Sequence, residues 1–461
     1  MEKGANHIKH LYSRAAFGIH YNQLKSLKNK SLKKVVDGLI KKSSQYQPLS
    51  LVPYPKLSKP YKDLTAEERR AMQQEAQQYT RDLNIAFLNR LTDTEAVLRE
   101  KMTLFLHGHF ACRQQTAPYF IQELNNIQRE HALGNFKTLT IEVSKSRAML
   151  SFLNNQQNRK GRPNENFARE LMELFTLGVG NYTEDDVKSA ARAFTGWRYN
   201  AEGKFEYNPK LHDDGEKTFF GKTGRFGGKD IMDMIFDKRE AAYFISAKLY
   251  RFFVNETVNQ EHVKELGDYF YEHNYEIKPL LRRMFTADWF YADKNIGNKI
   301  KSPVEFIVGL NRQFFIDYED PRVLIRFQQA LGQMLFYPPN VAGWAGGKEF
   351  IDSSSLMLRL KIPSTVINNG IIEFDGKPDP DDEAFIALQK RESVKVAQRI
   401  KANVNWEKFA DQIPESIDKK SLATFLLQPK VKEKLLDNIS DSSDLKTKVI
   451  QIISTPEYQL C

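Results

Sequence analysis

Two cysteines in 461 residues are too few for a disulfide framework, and Cys112 and Cys461 lack the paired spacing of a zinc site. A reducing compartment is the simplest expectation. Also missing is any window approaching the roughly 18 consecutive apolar residues of a membrane span. The opening Met1-Glu2-Lys3-Gly4-Ala5-Asn6-His7 runs into polar residues instead of an apolar leader, so the expected compartment is the cytoplasm. There is no His-Glu-x-x-His and no Gly-x-Ser-x-Gly, which sets aside zincin and α/β-hydrolase chemistry. No histidine has a glutamate three residues before it, so the Glu-x-x-His pattern of di-iron carboxylate bundles is lacking. Gly228-Lys229 and Gly347-Lys348 fail as phosphate loops: Thr223 and Ala342 stand where the earlier glycine belongs, and Asp230 and Glu349 replace the serine or threonine.

What is present is positive charge. A formal net charge of +10 favours contact with polyanions. The densest run, Lys25, Lys28, Lys30, Lys33 and Lys34, is interleaved with Leu24, Leu27, Leu32 and Val35. That is the pattern of surface helices with a solvated basic face, which is the ordinary reading of such a run; an anion-binding patch is the sharper one. No recognised nucleic-acid motif accompanies it, so nucleic acid is not the expected partner.

Apolar residues recur at helical spacing over most of the chain, with no series of alternating strands. The expected fold is all-α: a single large multi-helix domain with a long glycine-rich loop and short irregular segments. Thr65-Ala66-Glu67-Glu68 is a capping box opening a helix. Residues 200–230, rich in Gly, Asp and Lys, read as the long loop, with room for a short hairpin. Residues 1–370 read as the helical core, 371–384 as a hinge with Gly376, Pro378 and Pro380, and 385–461 as C-terminal helices packed on the same unit.

The most regular stretch is the helical hairpin from Asn164 to Trp197. Asn164 caps a helix whose Phe167, Leu171, Leu174 and Phe175 form an apolar stripe, and Gly178 sits where a left-handed cap is needed. Thr183 and Asp186 form a second capping pair. At 100° per residue, Asn166, Glu170 and Glu173 share the flank of the stripe, while Glu165 and Arg169 lie on the far side. Two carboxylates one turn apart at the edge of a core suit acid/base chemistry or a hard divalent cation. The plainer reading is helix support by pairs such as Glu165 and Arg169.

The run Asn164-Glu165-Asn166-Phe167-Ala168-Arg169-Glu170-Leu171-Met172-Glu173-Leu174-Phe175-Thr176-Leu177-Gly178, with Tyr182-Thr183-Glu184-Asp185-Asp186-Val187 and Ala193-Phe194-Thr195-Gly196-Trp197, resembles the bacterial family known as domain of unknown function 1800. Further blocks agree: His10 to Gly18, Lys101 to Phe110, Lys301 to Phe306, Pro338 to Trp344, and Ser454 to Leu460. Leu106 departs from a common tryptophan, and Ala16 from a common glycine. The resemblance covers nearly the whole chain. It implies that the C-terminal piece belongs to the same unit, that export occurs in related chains, and that a partner comes from a second, sulfatase-like family, domain of unknown function 1501.

His107-Gly108-His109 invites a metal reading, but on a helix the two rings diverge by about 200°. With Leu98, Met102 and Phe105, His109 falls on the core face and His107 away from it. A buried imidazole needs a partner, and Glu170 and Glu173 are the candidates. His212-Asp213-Asp214, with Lys217 beyond, lies in the glycine-rich loop, where histidine beside aspartate serves as base, metal ligand or loop tether. The candidate catalytic set is therefore His109, Arg169, Glu170, Glu173, His212, Asp213 and Lys217, with a divalent metal admitted and no cofactor specified. Trp197 and Trp344, each after a glycine, read first as packing anchors. The set points to a hydrolytic or redox enzyme acting on a cell-envelope or polymer substrate. The competing reading is a non-catalytic binding or assembly protein in which the same residues are internal hydrogen-bond links.

Overall fold

The computed structural model describes residues 3–55, 63–113, 117–373, 397–440 and 443–461, and these are mostly helical. Chain order begins with α1 (Lys3–Ala15), α2 (Tyr21–Leu27), α3 (Leu32–Lys42), α4 (Ala66–Asp93) and α5 (Val97–His109). The capping box at Thr65 forms: Glu68 N–H donates to Thr65 Oγ1 (3.2 Å) and Thr65 N–H to Glu68 Oε2 (2.6 Å). Thr183 and Asp186 open the helix Glu184–Ala193 in the same way.

Helix α5 runs through the interior. Apart from Gly108, every residue from Val97 to His109 is buried, so it has no solvent face. A helix enclosed on all sides must satisfy each polar side chain internally. It does so by reaching a different neighbour with each. Arg99 donates to the carbonyls of Ser43, Arg129 and Glu130. Glu100 pairs with Arg129 (2.8 Å), Lys101 pairs with Glu305 (2.5 Å), and His107 Nε2 accepts from Phe336 N–H (3.0 Å). His107 is therefore buried as fully as His109, contrary to its expected placement away from the core, because elements close over both faces of α5. Gly343 lies against Gly108: a Cβ there would come within 2.3 Å of Gly108 O, and φ is +83°. Only glycine fits.

Strands are few and paired in twos. The expected glycine-rich loop is instead two antiparallel hairpins, Trp197–Tyr199 with Phe205–Tyr207 and Lys217–Phe219 with Lys222–Gly224, joined by a 3-10 turn at Pro209–Leu211. The other two pairs join distant segments, Ile316–Tyr318 with Ala402–Val404 and Ile371–Glu373 with Ala397–Arg399. The start of the expected hinge, Ile371–Glu373, is thus a strand, and 374–384 lie outside the described residues. Trp197 is buried against Phe194 and Gly228, as a packing anchor. No helix among the described residues is long and apolar enough to cross a membrane.

Candidate functional site

The signature hairpin starts as an α-helix at Asn166, with Asn164 Oδ1 accepting Asn166 N–H (3.0 Å), and widens to a π-helix over Leu171–Thr176. Wide turns of this kind shift hydrogen-bond partners and alter which residues share a face. Leu177 N–H and Gly178 N–H both donate to Met172 O, and Thr176 Oγ1 donates to Leu171 O. The carbonyls of Leu174 and Phe175 are taken by other elements. Lys248 Nζ donates to Leu174 O (2.8 Å), and His109 Nε2 lies 3.1 Å from Phe175 O. That contact assigns the imidazole proton to Nε2 and leaves Nδ1 to accept from Lys248 Nζ (3.3 Å). Both ring nitrogens are satisfied. The ring is enclosed by Phe105, Phe110 and Phe136. Burial, then the Lys248 charge, holds His109 well below the usual histidine range, and burial lowers the Lys248 amine to about 8.

The other nominated residues fall into separate neighbourhoods. Glu173 accepts from Tyr182 Oη–H (2.6 Å), and Glu170 is pushed above the usual carboxylate range by burial and by Glu173. Arg169 lies at the surface with Glu184 (2.6 Å) and Glu165 (3.2 Å). His212 Nδ1 sits 2.9 Å from Thr195 O, while Asp213 forms a bidentate pair with Arg192 (2.7 and 3.2 Å) that holds its carboxyl at about 2. Lys217, fully buried, donates to the carbonyls of Asp213 and Gly215. Among the described hydrogen bonds none joins His109 to Glu170, Glu173 or His212. No group of three or more His, Cys, Asp or Glu side chains comes together as a metal site among the described residues.

A different set does converge. Four of the blocks that carry the family resemblance meet around a cavity of about 50 Å³, lined by Ser13, Phe17, Lys101, Lys301, Glu305 and Tyr458 among others. Such a volume admits a few waters or one small anion. Glu305 is placed at the start of the helix Pro303–Phe314, where Ser302 caps Glu305 N–H (3.2 Å) and Glu305 Oε2 accepts Ser302 N–H (2.7 Å). Its other oxygen takes Lys101 (2.5 Å), and Lys299 stands 3.7 Å from Oε2. Burial opposes ionisation of Glu305, but Lys101 and Lys299 reverse this and hold it well below the usual range.

Five cations, Arg14, Lys101, Lys299, Lys301 and Arg359, surround this carboxylate. Arg14, Lys101 and Arg359 are essentially inaccessible, and Lys299 is nearly so. Lys301 borders the cavity, its amine donating to Tyr458 O (2.7 Å) and lying 3.9 Å from that ring's centre. Burial brings the amine down to about 8. The guanidinium of Arg14 is held by Asn295 O and Asn298 Oδ1, yet its Nε and Nη1 have no partner. Arg359 reaches Lys301 O and Gln459 Oε1, leaving Nε and Nη2 unpaired. Further negative charge reaches the cluster from Glu256 and Cys461. Cations still outnumber acidic groups in the cluster. Lys9, at the rim, spends its amine on the carbonyls of Thr424 and Leu427, and burial lowers it to about 7.

None of these residues was nominated from the sequence. A signal was available: Arg14, Lys101, Lys301 and Glu305 are charged positions inside otherwise apolar family blocks, where a solvated role is hard to accommodate. No curated protein and no solved structure matched the chain. The family model for proteins of unknown function termed DUF1800 matches residues 10–460, nearly the full length. The chain that builds this basic cavity from its signature blocks belongs to the DUF1800 family.

Proposed function

We propose that this protein binds an anion in the cavity between α1, α5 and the helix Pro303–Phe314. One observation carries the reading: Lys9, Lys101 and Lys301 line the cavity, Arg14, Lys299 and Arg359 are buried behind it, and Glu305 is the one acidic side chain in the lining. Removing charge from water without full compensation costs several kcal/mol per ion, so a folded chain keeps such an excess where a ligand supplies the missing counter-charge. Arg14 and Arg359 lie outside the lining, and their buried guanidinium groups, each with two nitrogens unpaired, add positive charge behind it.

In this reading the polar groups of the hairpin hold the fold, and the protein acts by binding. The enzyme reading, with His109, Arg169, Glu170, Glu173, His212, Asp213 and Lys217 as its catalytic set and a divalent metal admitted, needs three separate neighbourhoods to move together. The anion reading needs no movement. A partner from the DUF1501 family would approach a protein already holding its anion. Calorimetric titration with inorganic phosphate and sulfate tests the reading, alongside thermal unfolding with chloride at equal ionic strength as control. We expect an oxyanion-specific rise in midpoint that Lys301→Met removes. Equal midpoints in phosphate, sulfate and chloride would sink it.

A further inference from the structure

We propose that the anion entering this cavity is the end of a polymer, a flexible chain whose terminal phosphate occupies the cavity while its following units run across the lysine face of α2 and α3. The inference rests on the cavity reading above. A space of about 50 Å³ takes a head group and nothing more, so the rest of any larger ligand lies outside. Its route is set by the rim. Gly18 and Ile19 line the cavity, and α2 begins two residues later at Tyr21. The Tyr21 ring packs edge-on against Phe425, another lining residue, at 5.1 Å. The cavity lip therefore leads directly onto α2.

From α2 through α3, Lys25, Lys28, Lys30, Lys33, Lys34 and Lys41 are exposed. None takes part in a described ion pair. The single acid between Tyr21 and Lys42 is Asp37, whose carboxylate is held by Arg282 at 2.6 and 3.1 Å. The face is thus positive without internal neutralisation, and it concentrates much of the chain's +10. Lysines are mobile point charges, suited to closely spaced phosphates of variable geometry. The large hydrophobics that the structure exposes, Leu51, Tyr54, Val179, Tyr207, Met357 and Ile371, all lie outside residues 21–42, so nothing here inserts into a bilayer. The face also offers no arginine and no free aromatic ring on which bases could stack. A polyanion without bases fits best. At its end, a terminal phosphate carries between one and two negative charges at neutral pH and so offsets more of the cavity's excess positive charge than a sulfate ester or carboxylate, which brings one.

The test uses the full chain with long linear polyphosphate as probe, against orthophosphate, heparin, single-stranded DNA and phosphatidylserine vesicles. Polyphosphate should bind at least about ten-fold tighter than orthophosphate, with affinity falling steeply as salt rises. The surface variant Lys28→Gln/Lys33→Gln/Lys34→Gln should lose about ten-fold in polyphosphate affinity and keep its orthophosphate affinity. Lys301→Met should weaken both, and esterifying the polymer's ends should remove its sensitivity to Lys301→Met. If polyphosphate and orthophosphate bind alike and the triple variant changes neither, the polymer inference fails while the cavity reading stands. If no phosphate species responds to Lys301→Met, the cavity reading itself fails. DNA, heparin or vesicles bound as tightly as polyphosphate would overturn the choice of polymer.

Discussion

The signature hairpin and the basic cavity are both rich in polar side chains, and they differ in how completely those side chains are paired. In the hairpin and against it, His109 of α5 uses both ring nitrogens, Glu173 has Tyr182, Asp213 has Arg192, and Arg169 has two carboxylates. Around the cavity, Arg14 and Arg359 each leave two nitrogens without acceptors, and cations outnumber their counter-charges. The lesson is one of accounting. Buried polar groups that close on one another hold a fold, while buried polar groups left open hold a place for something else.

The sharpest way to break the comparison is at Glu305. Glu305→Gln keeps the shape but strips Lys101 and Lys299 of their counter-charge, and breaking a buried pair costs about 3–5 kcal/mol. We expect a loss of that size in urea unfolding. Phosphate should recover part of it, because an anion then replaces the lost carboxylate. A variant as stable as wild type would show that the cluster is solvated after all.

Next in size is the pH dependence of the ligand-free protein. Lys301 and Lys248 are lowered to about 8 by burial, against 10.5 when exposed. Between those values the folded chain binds fewer protons than the unfolded one, so stability rises with pH through that window. The gain is on the order of 2 kcal/mol per lysine by pH 10. Above about 10 the rise reverses, since burial raises Tyr291, Tyr318 and Tyr458 and the unfolded tyrosines ionise first. Lys301→Met should flatten part of the rise and leave the ligand-free protein at least as stable at pH 7. A profile falling between pH 8 and 10 would contradict the placement of these amines.

A smaller effect is expected at His109. His109→Leu leaves Phe175 O without its donor and Lys248 with Leu174 O as its remaining acceptor, which costs about 1–3 kcal/mol. Phosphate affinity should not change. If His109→Leu abolished phosphate binding while remaining folded, the two regions would be one site and the comparison would collapse.

Much of the fold was legible locally. The capping pairs at Thr65 and Thr183, the Gly178 cap at φ +80° and the burial of His109 all follow from residues within one turn or one stripe. One local reading failed for a physical reason: α5 is enclosed on both faces, which buried His107. The π-helix over Leu171–Thr176 is not given by a 100° periodicity, but Glu170 and Glu173 still lie half-buried beside the apolar stripe, close enough for Glu173 to raise Glu170. Residues 200–230 read as loop because their hairpins pair only three residues per strand. The charged positions of the cavity were legible as oddities in apolar blocks, but their convergence was not. Arg14, Lys101, Lys301 and Tyr458 are separated by scores to hundreds of residues, and no periodicity reports that they meet.

The smallest expected effect is the most discriminating between the regions. Arg169 stands in the middle of the signature and pairs with Glu165 and Glu184, but its side chain is about one-third exposed and both partners are more so. Pairs in that setting are screened by water and salt, and their removal is seldom measurable. Arg169→Ala should therefore leave the unfolding midpoint and the phosphate affinity at their wild-type values. Lys301→Met, at a far less conspicuous position in the sequence, should erase the response to phosphate. The pair of variants separates the residue that makes the family recognisable from the residue that meets the ligand. If Arg169→Ala proves the more damaging to phosphate binding, the charge of the hairpin, and not that of the cavity, is what the ligand feels.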